Sequence, residues 1–142
     1  MPKKAPLVFI DTNVWFSAFY GSKNSEKILK AYIEGKIRAV ICRKVLKELV
    51  RNIEAKVPGA FVPLKKFLEL TSPVIIQDPS VIQTGVRTLV DKKDQVILQS
   101  AVSLKVKYFI TGNLKDFNVG GIRKKYGIKV MSPGEAVRVL FD

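Results

Sequence analysis

An α/β domain built on a mostly parallel sheet of about five strands, with helices on both faces, is the fold class that this 142-residue sequence predicts. Three observations carry it. Short β-branched and aromatic runs alternate with longer stretches of helical period. The runs are closed by Gly, Pro, Asp or Asn, the residues that stop strands and helices. With 47% hydrophobic content, the chain is long enough to bury a real core as one domain spanning 1–142.

The elements follow in order. Residues 6–10 (PLVFI) run into Asp11-Thr12-Asn13, the pattern of a fully buried strand whose carboxyl end opens into a polar loop. Trp15, Phe16, Phe19 and Tyr20 come next at the spacing of a core-facing helical turn. Rings this close to Asp11 also suit base stacking, but core is the expectation for most of them. Ser22 and Ser25 are candidate caps for a helix carrying Ile28, Leu29, Tyr32 and Ile33; Gly35 closes it, and 37–41 returns as a second strand. Residues 44–54 repeat the helical period through Val45, Leu46, Leu49, Val50 and Ile53, and Pro58-Gly59 ends that helix. A third helix is expected over 64–70, and a third strand over 74–76 between Pro73 and Asp78-Pro79. The stretch 80–90 carries no clear period. Residues 94–106 are apolar nearly all round, as a buried helix must be, and 107–111 (KYFIT) reads as a fourth strand. A loop over 112–121 and a basic turn at 123–125 lead to a fifth strand at 128–131, after which Ser132-Pro133 starts a terminal helix.

Composition narrows the chemistry. Histidine is absent, which removes imidazole as general base, metal ligand and member of a hydrolytic triad. The single cysteine, Cys42, excludes an internal disulfide and every cysteine-rich zinc site; it reads as a small buried apolar residue and fits a reducing cytoplasm. Against 12 acids stand 25 Lys and Arg, a net charge of +13 and a pI near 10.0, which point to a polyanion such as nucleic acid as partner. Basic residues gather at Lys23 and Lys27, at Lys44, Lys47 and Arg51, at Lys92 and Lys93, and at 123–125, several of them beside candidate acids. The opening residues carry Lys3 and Lys4, and Asp11 cuts the following apolar run far below the length of a signal peptide or membrane span. No membrane association is expected.

In an open α/β sheet, ligands bind outside the carboxyl ends of the strands, where the strand order reverses. Two polar clusters fall at such ends: Asp11-Thr12-Asn13 after strand one, and Thr111-Gly112-Asn113 with Asp116-Phe117 after strand four. They face each other if those strands are neighbours. Asp11 can cap a helix beginning at Asn13, yet a carboxylate pinned to a buried strand is costly to place unless a cation compensates it. Asp94, three residues after Asp91, opens the buried helix and reads equally as a cap or a ligand. Glu48, between Lys44 and Arg51, has the spacing of a surface ion pair, and Asp116 is unremarkable alone. Only the set of four, drawn from separate elements, is informative. Oxygen ligands without imidazole or thiolate select hard cations, Mg²⁺ or Mn²⁺, and such ions suit phosphate chemistry. A receiver domain would want an adjacent acidic pair where Asp11 is followed by Thr12-Asn13, and a haloacid-dehalogenase-type phosphatase would want an acid in place of Asn13.

The runs VFIDTNVWFSA, KELV, DKKDQVILQSA and YFITGNLKDF resemble the PIN-domain nucleases over nearly the whole chain, most specifically at 10–13 and 108–117. The resemblance implies a three-layer α/β/α fold and a ribonuclease that hydrolyses RNA with Mg²⁺ or Mn²⁺. It implies that Asp11, Glu48 and Asp94 are catalytic, metal-binding acids, with Asp91 an alternate ranked below Asp94. Asp116 supplies the fourth charge, since many members carry Asp where this chain has Asn113. Thr12, Asn13, Thr111 and Asn113 are implied as supporting or phosphate-contacting groups. Many small stand-alone members are the toxin halves of toxin–antitoxin pairs, so a cytoplasmic toxin-type endoribonuclease, an inhibitory antitoxin partner and a homodimer are further implications. The alternative is a PIN-like module that binds RNA without cleaving it, or an RNA-processing factor.

Overall fold

The fold is described from a computed structural model covering residues 4–141, so Lys3 of the opening basic pair lies outside the described residues. Strands β1 (Leu7–Ile10), β2 (Arg38–Cys42), β3 (Val74–Ile76), β4 (Tyr108–Ile110) and β5 (Lys129–Met131) pair in parallel, in the order β3-β2-β1-β4-β5. Each lies within one residue, at either end, of its expected place. The most apolar run takes the centre: Val8, Phe9 and Ile10 are fully buried, whereas Val74 and Ile75 on the edge strand β3 are 42% and 46% exposed. A parallel sheet buries both faces, and β1 meets that demand best.

Helices fill the connections. α1 (Thr12–Ala18) and α2 (Lys23–Ile33) join β1 to β2, and α3 (Arg43–Lys56) and α4 (Phe61–Thr71) join β2 to β3. The short α5 (Thr84–Arg87) and α6 (Gln95–Ser103) lead to β4, α7 (Val119–Tyr126) leads to β5, and α8 (Pro133–Phe141) packs back on α2. Strand order runs outward from β1 in one direction through β2 and β3, then in the other through β4 and β5. Right-handed crossovers on the two sides of that reversal put helices on both faces, giving three layers. In one face Trp15 meets Tyr32 and Phe67 edge-on, and its Nε1 donates to Ile10 O at 2.9 Å, locking α1 to the end of β1. Phe9 and Phe109, adjacent in register, stack with centroids 5.0 Å apart, and Phe117 leans on Phe109. Ser22 caps α2 by accepting from Ser25 N, and Gly35 ends the turn after it at φ 77°.

Two stretches depart from expectation. The stretch 112–121 is not all loop, because a 3₁₀ turn (Leu114–Asp116) precedes α7, and the helix runs straight through the basic segment expected as a turn. Gly120 and Gly121 disguise its start. Asn118 Oδ1 supplies the missing signal by accepting from Gly121 N at 2.9 Å, and a Cβ on Gly121 would come within 2.6 Å of Leu89. The second departure is the buried helix, which begins at Gln95 after a 3₁₀ turn (Lys92–Asp94) and stops at Ser103, short of Val106. Lys105, at φ 54°, turns the chain there. Among the described residues, no helix is long and apolar enough to cross a membrane.

Candidate active site at the carboxyl edge of the sheet

Ile10 and Ile110 are register partners, so the residues that follow them, Asp11 and Thr111, emerge side by side. Asp11 N donates to Ile110 O at 3.0 Å and Thr111 N to Met131 O at 2.9 Å, which carries the ladder one residue past the strands. Thr111 Oγ1 donates to Asp11 Oδ2 at 2.8 Å and accepts from Asn113 N at 3.1 Å. The other oxygen, Oδ1, accepts from Thr12 N at 2.7 Å, so Asp11 also caps α1. Across the gap, Asn13 Oδ1 accepts from Gly112 N at 2.8 Å, and a Cβ on Gly112 would crowd that amide at 3.1 Å. The two polar clusters do therefore face each other. Burial raises the Asp11 pKa; the bonds from Thr111 and Thr12 pull it down, Glu48 adds to the rise, and Lys93 opposes it.

Glu48 reaches this corner from α3, where its Oε2 accepts from Thr12 Oγ1 at 3.0 Å. The surface ion pair suggested by its spacing is not formed among the described residues. Asp94 closes the 3₁₀ turn before α6, is 9% exposed, and its Oδ2 is buried with no hydrogen-bond partner. Burial, then the nearby charge of Asp11, pushes its pKa up to about 6, with Lys93 pulling the other way. Asp91, exposed just before the same turn, adds its charge to that rise.

A cleft of about 340 Å³ opens between these elements, lined by Asp11, Glu48 and Asp94 together with Thr12, Asn13 and Asn113. Asp116 stands apart. Its Oδ2 lies 3.2 Å from Lys93 Nζ, and that pairing raises the Lys93 pKa. Lys93 itself lines the cleft, and its carbonyl accepts from Lys44 Nζ at 2.8 Å. Among the described residues, no three Asp, Glu, His or Cys side chains stand together as a ready-made metal cage. A larger hollow of about 590 Å³, at the opposite edge of the sheet around Lys105, Lys107 and Lys125, is lined by no carboxylate. Size does not mark the chemistry here.

Sequence reasoning left out two lining residues, Asn52 and Lys56. The signal was available, because Lys44, Glu48, Asn52 and Lys56 recur every four residues and so share one side of α3. Phe16, expected as core, is half-buried and lines the cleft as well.

Comparison with known proteins agrees with this architecture. No curated protein matches the chain in sequence. Among solved structures, the chain is similar to the crystal structure of VapBC2 from Rickettsia felis bound to a DNA fragment from their promoter, with a TM-score of 0.59 and 14% identity, covering 89% of this chain and 98% of that one. It is also similar to a toxin–antitoxin complex from Klebsiella pneumoniae, with a TM-score of 0.57 and 18% identity, covering 85% of this chain and 94% of the other. Identities this low speak for the fold alone. The sequence pattern of the PIN domain matches residues 7–115, well over half of the chain, and this protein therefore belongs to the PIN-domain family of nucleases.

Proposed function

We propose that the protein is a metal-dependent endoribonuclease that hydrolyses RNA phosphodiester bonds in the cleft around Asp11 and Asp94. The observation that carries this reading is the buried, partnerless Oδ2 of Asp94 beside a second buried carboxylate. Two such acids repel each other and have lost water, a state that a bound cation relieves.

The residues fit a hard divalent ion. All the candidate ligands are carboxylates, and one oxygen has no other occupation. The absence of a three-acid cage is compatible with Mg²⁺, which keeps several waters and binds through one or two carboxylates plus substrate phosphates. Asp11, Glu48 and Asp94 would hold the ion, and Asp116 adds negative charge from the rim. When bound, Mg²⁺ or Mn²⁺ supplies a water of lowered pKa and neutralises charge on the phosphate. Thr111 and Thr12 fix the Asp11 carboxylate, while Asn13 and Asn113 frame the floor on which a phosphate sits. Lys44, Lys56 and Lys93 surround that floor and attract the polyanion, in keeping with the net charge of +13.

Cytoplasmic action as the toxin half of a toxin–antitoxin pair, blocked by an antitoxin protein, is the role this reading favours. It is supported by membership of the PIN-domain family and by the likeness in fold to two structures from such systems. Homodimerisation accompanies it in the same proposal.

The test is incubation of the protein and its Asp11→Asn variant with single-stranded and structured RNA, in Mg²⁺, Mn²⁺ or chelator. Cleavage that needs metal and is lost in the variant is the expected result. Tight RNA binding without cleavage in any metal would favour the non-cleaving module instead. The uncharged Asn113 in the cleft and the pairing of Asp116 with Lys93 are what support that second reading.

A further inference from the structure

Of the four aromatic residues that follow Asp11, two are spent on packing. Trp15 is fully buried with its N–H on Ile10 O, and Phe19 lies edge-on to Phe67. The other two form a stacked pair of which Phe16 belongs to the cleft lining. Tyr20 stacks on Phe16 nearly in parallel, with centroids 5.5 Å apart and 22° between planes, while remaining 67% exposed. Lys56 Nζ lies 5.5 Å from the Phe16 ring centre, and Asn52 sits one helical turn back toward Glu48. A rise of about 1.5 Å per residue puts Lys56 roughly 12 Å beyond Glu48 along α3. The lining of the cleft thus changes in composition away from its acids, to a ring, an amide and a cation, and Tyr20 extends the ring surface beyond that lining.

We propose that Phe16, Tyr20, Asn52 and Lys56 form a subsite for one unpaired nucleotide of the RNA strand, next to the nucleotide held at the acids. Its signature is a stacking contribution from Tyr20 to single-strand binding that a duplex cannot draw on. The proposal rests on the reading of the cleft as a ribonuclease site. A base stacked on Tyr20 covers apolar ring surface that now faces water, Lys56 takes the adjoining phosphate, and the Asn52 amide offers both a donor and an acceptor to a base edge. A duplex keeps its bases stacked inside the helix and offers none to the ring, whereas a single strand can splay one out.

The experiment measures binding of a short fluorescent single-stranded RNA and of the matching duplex, both in chelator so that nothing is cut. Tyr20→Ala is expected to weaken single-strand binding by about fivefold to a hundredfold, the range for losing one base–aromatic stack, and to leave duplex binding and Tm unchanged. Tyr20→Trp should retain the affinity. Lys56→Gln should reduce the slope of log affinity against log salt by about 0.7, one phosphate contact on a single strand. Wild-type affinity in Tyr20→Ala, or an equal loss on both RNAs, would overturn the subsite. Cleavage is read separately in Mg²⁺ and Mn²⁺. A wild type that cuts RNA while Tyr20→Ala binds normally removes the subsite and keeps the nuclease. A wild type that never cuts, with Tyr20→Ala still losing the single strand, does the reverse.

Discussion

On the side of the cleft made by β1, α1 and β4, Asp11 is 4% exposed and both its oxygens accept hydrogen bonds, one from Thr12 N and one from Thr111 Oγ1. On the opposite side, the 3₁₀ turn Lys92–Asp94 holds Asp94 at 9% exposure with Oδ2 unpartnered, flanked by a lysine whose ammonium turns to Asp116. Similar burial has been met by different means. Burial raises the pKa of both acids, so each keeps negative charge for a cation to balance; they differ in that Asp11 is held by an accepted bond at each oxygen, while Asp94 keeps one oxygen bare.

The strongest test of that contrast replaces each acid in turn. Under the proposed function, Asp11→Asn and Asp94→Asn should each lower cleavage about a thousandfold, since either loss would remove a charge from the proposed cation site. Stability should separate them. Burial pushes the Asp94 pKa up to about 6 in the native state, above the ordinary carboxylate value of 3.8, so the folded protein holds the proton more tightly than the unfolded chain. That contribution is fully present below the unfolded pKa and is lost as pH rises through about 6. At neutral pH the bare carboxylate therefore works against folding, and Asp94→Asn should stabilise by about 1 to 2 kcal/mol after allowance for solvent screening. The gain should vanish under acid conditions. Asp11→Asn gives up one of two accepted hydrogen bonds, a loss of about 1 kcal/mol that opposes the relief of burial, and no net gain is expected. Thermal melts of both variants across pH decide it: a destabilised Asp94→Asn at neutral pH would break the contrast.

The next effect is smaller and probes the strand side. Thr111→Val keeps the shape but removes the hydroxyl that donates to Asp11 and accepts from Asn113 N. Loss of such a supporting contact should lower metal affinity or cleavage about tenfold to a hundredfold, with roughly 1 kcal/mol less stability. An unchanged metal titration would mean that the strand alone holds Asp11 in place.

The strand side was also the legible one. The apolar run 6–10 breaking into Asp-Thr-Asn, and 107–111 into Thr-Gly-Asn, announced both the strands and their polar ends, because a buried strand leaves little freedom in where polarity starts. The adjacency of β1 and β4 is a long-range pairing that local pattern does not encode. Asp94 was ambiguous between cap and ligand, and the structure shows why. It ends a 3₁₀ turn, caps nothing with its side chain, and its lack of a partner appears only once the neighbours are in place. The helix α7 is hidden by Gly120-Gly121, of which Gly121 leaves no room for a Cβ beside Leu89, a tertiary constraint, and the place of Phe16 in the cleft lining depends on α3 lying alongside α1.

The smallest effect concerns Asp116, the acid that the resemblance placed in the metal pocket and that lies against Lys93 at the rim. The Lys93 ammonium is solvent-exposed, so the ion pair itself should contribute little, and Asp116→Asn should shift stability by no more than about 0.5 kcal/mol. Its charge matters more through Lys93. Freed of Asp116, the ammonium has Asp94, Asp11 and Asp91 nearby to answer, and it would compete with the cation for the first two. Cleavage should therefore fall about twofold to tenfold at limiting Mg²⁺ and recover as Mg²⁺ is raised, which a metal titration of the variant reads directly. A loss as deep as that of Asp94→Asn, with no recovery at high metal, would make Asp116 a full ligand. The turn side would then supply two acids to the ion, and the ion pair with Lys93 would have to open for Asp116 to reach it.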